Sequence, residues 1–231
     1  MLTHSFLVLS IVLAIPGAMV WGFRADLRPI IHRMMLASIP FALTERLFYP
    51  EYWKPEFLFD LVNVIGFGIE DLLFVMGLAA FSSTAWAVVS RQTLAAGEER
   101  ASLRNALALL AACFLVVGLV AIAGIPMIYG APLIMTVFGG GICIVRRDLW
   151  WPSLGGAVVT TLVYTSACLL LMLLIPRVFE LDWNSDKFLN NFVWGIPREE
   201  LLYAATSGFI ATAFYPFVTG ARFVALEQPE N

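Results

Sequence analysis

The same acidic motif stands twice in this chain, each time inside apolar sequence. Gly68-Ile69-Glu70-Asp71-Leu72-Leu73-Phe74 and Pro197-Arg198-Glu199-Glu200-Leu201-Leu202-Tyr203 align without a gap at a spacing of 129 positions (199 against 70, 203 against 74). A carboxylate costs roughly 2.5–3.5 kcal/mol at the centre of a membrane helix, and a neighbouring acid adds to that. A chain that keeps such a pair twice, at equivalent places, is expected to use both. The feature points to an internally duplicated membrane protein with an acid site.

Apolar runs at about 5–21, 34–48, 61–89, 103–123, 127–145, 154–175 and 193–219 accommodate seven helices. The second is short and holds Pro40, Glu45 and Arg46, so it is the least secure span. With 60% hydrophobic and 13% charged residues and a mean hydropathy of +0.84, the fold class is all-α, a polytopic helical membrane protein. Net charge is −3, which leaves no nucleic-acid footprint. Cys113, Cys143 and Cys168 lack CxxC spacing and read as free, buried thiols. No basic residue precedes the first run, so that run reads as a retained helix rather than a leader.

The repeat extends beyond the acids. Arg24-Ala25-Asp26-Leu27 recurs as Arg146-Arg147-Asp148-Leu149, with Pro29 and Pro152 shortly after. Helices one to three then map onto helices five to seven, and helix four is unpaired. A three-helix unit ends on the side opposite its start, so one inserted span restores a parallel orientation to the second copy. The expected organisation is a first three-helix repeat over 1–90, a linker with an extra helix over 91–126, a second repeat over 127–222 and a tail over 223–231. Nine of the 14 basic residues, among them Arg24, Arg33, Arg91, Arg100, Arg104, Arg146 and Arg222, fall on one side of this arrangement. The positive-inside rule makes that side cytoplasmic, with the N-terminus outside and the C-terminus inside.

Two readings compete for the acids. Early-helix carboxylates suit the helix dipole or a cap, and Pro197 at the first helical position would make Glu199 and Glu200 first-turn acids. Capping needs one carboxylate, however, and a tandem pair in low dielectric is held to keep a proton, which acid catalysis on an apolar substrate uses. Arg198 either neutralises one glutamate or snorkels to headgroups. Phe67, Phe74, Trp194 and Tyr203 flank the motifs as packing residues or as a π-faced pocket for a cation. Tyr49, Tyr52, Trp53 and Trp183 read as interfacial anchors, and Gly139-Gly140-Gly141 as a helix-packing stretch.

These residues resemble the membrane-embedded lycopene cyclase domain family, whose members occur as two small subunits or as fused halves joined by an extra helix. Pro197, Glu199, Glu200 and Tyr203 match the family's Pro-x-Glu-Glu motif; in the first half Gly68 replaces the proline and Asp71 the second glutamate. The resemblance implies a redox-neutral isomerisation (an intramolecular lyase) of a hydrophobic polyene taken from the bilayer, with no metal or other cofactor. Glu199 or Glu200 would be the acid, Glu70 and Asp71 a second acid or counter-charge, and Phe67, Phe74, Trp194 and Tyr203 the substrate-binding screen. Carotenoid-pathway enzymes are the implied partners and a prokaryotic inner membrane the implied location. A non-catalytic carotenoid-binding relative and a proton-coupled carrier are the alternatives. Intramembrane prenyl-protein proteases need histidine ligands and prenyltransferases need clustered aspartates, and neither pattern occurs here.

Overall fold

The computed structural model describes residues 4–95, 103–184 and 188–226, without the side chains of 103–105. The expected cytoplasmic linker residues Gly97, Glu98, Glu99 and Arg100, the loop residues Asp186 and Lys187, and the tail 227–231 lie outside the described residues. A helix satisfies its own backbone, which apolar surroundings require, and most of the described chain is helical.

Helix α1 (Ser5–Phe23) is followed by a corner at 24–27 and by α2 (Arg28–Ser38), which has proline in its first turn. Pro40 lacks an N–H, and the α-helix tightens into the 3-10 segment Ile39–Leu47. The long third apolar run is not one rod. It forms α3 (Leu61–Ile65), stops at Gly66 with φ +93°, and resumes as α4 (Ile69–Ser82) after a 91° bend. A turn at Ser83–Thr84 precedes α5 (Ala85–Val89) and strand β1 (Gln92–Ala95). Helices α6 (Leu103–Ile122), α7 (Met127–Val145), α8 (Trp150–Leu174) and the single turn α9 (Val178–Leu181) follow. Strands β2 (Phe192–Val193) and β3 (Ile196–Pro197) form a hairpin that leads into α10 (Arg198–Thr219) and β4 (Arg222–Ala225).

Among the described residues four helices, α1, α7, α8 and α10, are long and apolar enough to cross a membrane, and the bent pair of Leu58–Ile65 with α4 adds a fifth when counted as one span. The all-α expectation therefore holds for the bulk of the chain, with two short antiparallel pairs added. One is the β2–β3 hairpin; the other joins β1 to β4, with Thr93 opposite Val224 and Leu94 opposite Phe223.

The two Arg-x-Asp-Leu corners have the same geometry. The N–H of Arg24 donates to Val20 and that of Arg146 to Ile142, both at 2.8 Å, and each arginine forms a bidentate pair with the aspartate two residues on, at 2.9 and 2.7 Å. The Arg24 guanidinium holds the Asp26 carboxyl below the usual carboxylate range. Arg24 also donates to Gln92 O, and Arg146 to Pro216 O and Ala221 O, so both corners clamp the β1–β4 end of the bundle. At the other end Trp53 and Trp183 form a β-bridge, flanked by Lys54 N–H to Asp182 O and Asn184 N–H to Tyr52 O, both 2.8 Å.

Close approach between helices is set by small residues. A Cβ on Gly17 would lie 2.8 Å from that of Ala80, and one on Gly77 would lie 3.0 Å from the Ala14 Cα, which locks α1 to α4. Gly156 and Gly208 do the same for α8 and α10. Of the triple glycine only Gly139 meets a neighbour, the Phe209 ring, so the packing role assigned to Gly140 and Gly141 is not seen. The three cysteines are free and buried.

Candidate functional site

The first turns of α4 and α10 decide where the motif acids point. At α4 the N-cap is Gly68, whose N–H donates to Asp71 Oδ2 at 2.6 Å, so this acid is partly spent on capping. Glu70, fully buried, accepts the Leu58 N–H at 2.6 Å through Oε1 and, among the described residues, leaves Oε2 without a partner. At α10 Pro197 is the N-cap rather than the first helical residue. Proline offers no N–H for a capping box, and Glu200, the counterpart of Asp71, is released from that duty. Glu199 accepts the Leu189 N–H and the Tyr129 hydroxyl, both at 3.1 Å. In each motif the first acid anchors the loop that precedes its helix, and the second turns toward the interior.

Asp71 and Glu200 meet there in one chamber of about 50 Å³, and a third acid, Glu45 from the 3-10 segment, lines it with them. Glu200 takes three donors: Tyr52 OH and Trp183 Nε1–H at 2.9 Å on Oε1, and Tyr164 OH at 2.5 Å on Oε2. Tyr52 comes from the first half of the chain, Tyr164 and Trp183 from the second. Glu45 accepts Trp53 Nε1–H at 2.6 Å and shares the chamber wall with Asp71. Phe6, Phe48, Phe74 and Tyr203 complete the wall. Phe74 packs against Tyr164 and Tyr203 with centroids 6.4 and 6.2 Å away, so π-faces and carboxyl groups enclose one space.

The chamber continues into a larger cleft. Phe41, Thr44, Phe48, Val75 and Tyr203 line both, and from there the cleft runs between α2, α4, α6, α7 and α10 to Ser82 and Phe214. Its volume is about 180 Å³, and its wall is almost wholly apolar. An apolar cavity of roughly 150 Å³ is enough to hold benzene, so a hydrocarbon of one-ring size fits. Ser82 is fully buried, and its hydroxyl has no partner in the wall.

The sequence-selected residues thus separate. Asp71, Glu200, Phe74 and Tyr203 share the chamber; Glu70 and Glu199 face loops. Phe67 is half-buried and lies outside both linings. Trp194 is 73% exposed at the hairpin tip, where it and Gly195 take φ +53° and +84°, the two positive values of a type I′ turn. Arg198 is exposed and, among the described residues, forms no ion pair with either glutamate. Tyr52, Trp53 and Trp183, expected as interfacial anchors, are buried and serve as the donors of the chamber. Sequence reasoning missed that role and missed Glu45 as a site residue; the available signal was an acid within an apolar run, eight residues before a tryptophan. Among the described residues no three His, Cys, Asp or Glu side chains converge as ligands for a metal ion.

Comparison with known families finds one match: residues 126–218 fit the family model described as lycopene cyclase, which covers α7, α8 and α10 with the Pro-Arg-Glu-Glu motif. No curated protein and no solved structure matches the chain.

Proposed function

With residues 126–218 forming a lycopene cyclase family segment, we propose that this membrane protein is a carotenoid cyclase acting on the ψ end group of lycopene or a related acyclic carotenoid. The observation that carries the reading is the apolar cleft that ends on Asp71 and Glu200. The end of the polyene lies in the cleft, the rest of it in the bilayer that supplies it, with its terminal double bonds where the cleft meets the chamber. A carboxylic acid of the chamber protonates the terminal alkene. The tertiary cation is attacked by the neighbouring double bond, a six-membered ring closes, and a base removes a proton from the ring-borne cation. One proton enters and one leaves, so the reaction is an isomerisation, an intramolecular lyase in class.

The donor set fits Glu200 to the basic role. Trp183 Nε1 is donor-only, and two tyrosine hydroxyls reach the same carboxyl, so donors are in place to hold its ionised form once the proton has left. A fixed negative charge facing the substrate stabilises the carbocation as it develops and then accepts its proton. Phe74, Tyr164 and Tyr203 add π-faces and exclude water. The proton then comes from the first-half acids. Glu199, given the acid role on sequence grounds, is a loop anchor in this reading, and Glu70 its counterpart.

Two parallel three-helix repeats joined by α6 complete the reading, with seven spans, the N-terminus outside and the arginine corners cytoplasmic. The matched corners and the Trp53–Trp183 bridge support it. Co-expression in lycopene-accumulating cells, followed by pigment chromatography, is the test. Wild type is expected to yield cyclic product, Glu200→Gln to lose it by 100-fold or more, the size of a missing acid–base group, and Glu199→Gln to retain most of it. Unchanged lycopene with wild type, or pigment co-purifying uncyclised, would favour a carotenoid-binding relative; proton-driven uptake in vesicles without pigment chemistry would favour a carrier.

A further inference from the structure

The cyclase reading needs a transferable proton as well as a base, and the three donors around Glu200 fit that residue to the second role. Glu45 lies across the chamber, 6% exposed, on the 3-10 segment that Pro40 imposes. This tighter winding sets its side chain toward α4 rather than toward lipid, while Arg46 next to it is exposed. Glu45 and Asp71 line the same small chamber, close enough for each to feel the other's charge. Two carboxyls that share a buried site do not both ionise readily, so one partner keeps a proton. Each acid accepts one N–H at 2.6 Å, but Asp71 stands in the first turn of α4, where the helix dipole favours the ionised form, and Glu45 near the end of its 3-10 segment, where it does not. Glu45 has one oxygen on the Trp53 N–H and can carry the proton on the other.

Resting on the cyclase reading, we propose that Glu45 is the proton donor of the reaction and holds its proton beside Asp71 on the wall of the substrate chamber. The acids are not merely clustered: the space they line opens into the apolar cleft, whose buried Ser82 hydroxyl lacks a partner. In the step itself the Glu45 O–H bond breaks, and the proton forms a C–H bond at the terminal alkene. The carboxylate left behind is the counter-ion of the cation across from Glu200. After ring closure Glu200 takes the departing proton, and return of that proton to Glu45 resets the chamber with no oxidant or reductant consumed.

Glu45→Gln separates a chemical role from a structural one. The glutamine oxygen still accepts the Trp53 N–H and its amide stays beside Asp71, but nothing acidic remains. The expected result is normal accumulation of a folded protein, at least a 100-fold loss of cyclic product, and disappearance of a deuterium-sensitive protonated-carboxyl band from the infrared spectrum of the purified protein. Glu45→Asp, with its acid drawn back by one methylene, is expected to keep such a band and partial turnover, which serves if the glutamine variant fails to accumulate. Cyclic product from Glu45→Gln within a few fold of wild type, or a wild-type spectrum with no band that this substitution removes, would overturn the proposal. Failure of wild type to cyclise any acyclic carotenoid would instead sink the cyclase reading, and the infrared comparison would still decide whether Glu45 holds a proton.

Discussion

Gly68 and Pro197 occupy equivalent positions and divide the labour of the two motifs. A Cβ at residue 68 would lie 2.5 Å from Glu70 Oε2 and 2.6 Å from the Phe57 ring, so no larger residue fits there without displacing both. Gly68→Pro, which copies the proline of the second motif into the first, therefore clashes and also removes the N–H that Asp71 accepts. Loss of a cap costs about 0.5–2 kcal/mol, and an orphaned buried group about 1–3 kcal/mol. The expected outcome is a folded yield and thermal midpoint clearly below wild type, read by fluorescence size-exclusion chromatography. Gly68→Ala, which keeps the N–H, should fall between the two. A Gly68→Pro protein as stable as wild type would contradict the capping assigned to Asp71.

At the scale of elements, the cleft and its breaks matter more than the rods. Its floor is made of small side chains, Ala79 on α4 and Ala131 on α7, with Ala211 on α10. Replacing Ala79 or Ala131 by phenylalanine fills the cleft without touching an acid. Cyclic product is expected to fall at least tenfold while the chamber hydrogen bonds, and the infrared band proposed for Glu45, persist. The positions of the main helices were legible because apolar runs bounded by Arg-x-Asp-Leu corners leave few alternatives, and the acid motifs were legible because they repeat. Glu45 was not, because its equivalent 129 positions later, Leu174, is apolar and a search guided by duplication passes over it. The buried role of Tyr52, Trp53 and Trp183 was equally hidden. Loop aromatics in a membrane protein look alike in sequence whether they face lipid or reach into an acid pocket, and only the Trp53–Trp183 pairing turns these inward. The Gly66 break within the third apolar run left its mark in an isolated glycine, yet hydropathy alone reads across it.

Over the whole molecule, strand pairing ties the packed halves together at both ends, through β1 with β4 at one and through the tryptophan bridge at the other. Single cysteines placed on a background lacking Cys113, Cys143 and Cys168 test the proposed orientation. Asn191→Cys is expected to react with a membrane-impermeant thiol reagent in intact cells, and Ala225→Cys only after permeabilisation; the reverse pattern would invert the topology. The duplication also has a chemical outcome. Asp71, Glu200 and Glu45 converge on one chamber, with donors drawn from both halves, while Glu70 and Glu199 are spent on loops. In the proposed cyclase two motifs thus make one workplace, and a linear polyene with two reactive tips can present only one of them at a time. A doubly ringed pigment would require the molecule to back out, turn end for end and dock again, so the singly ringed form should appear first in a time course and build up whenever fresh lycopene competes for the berth.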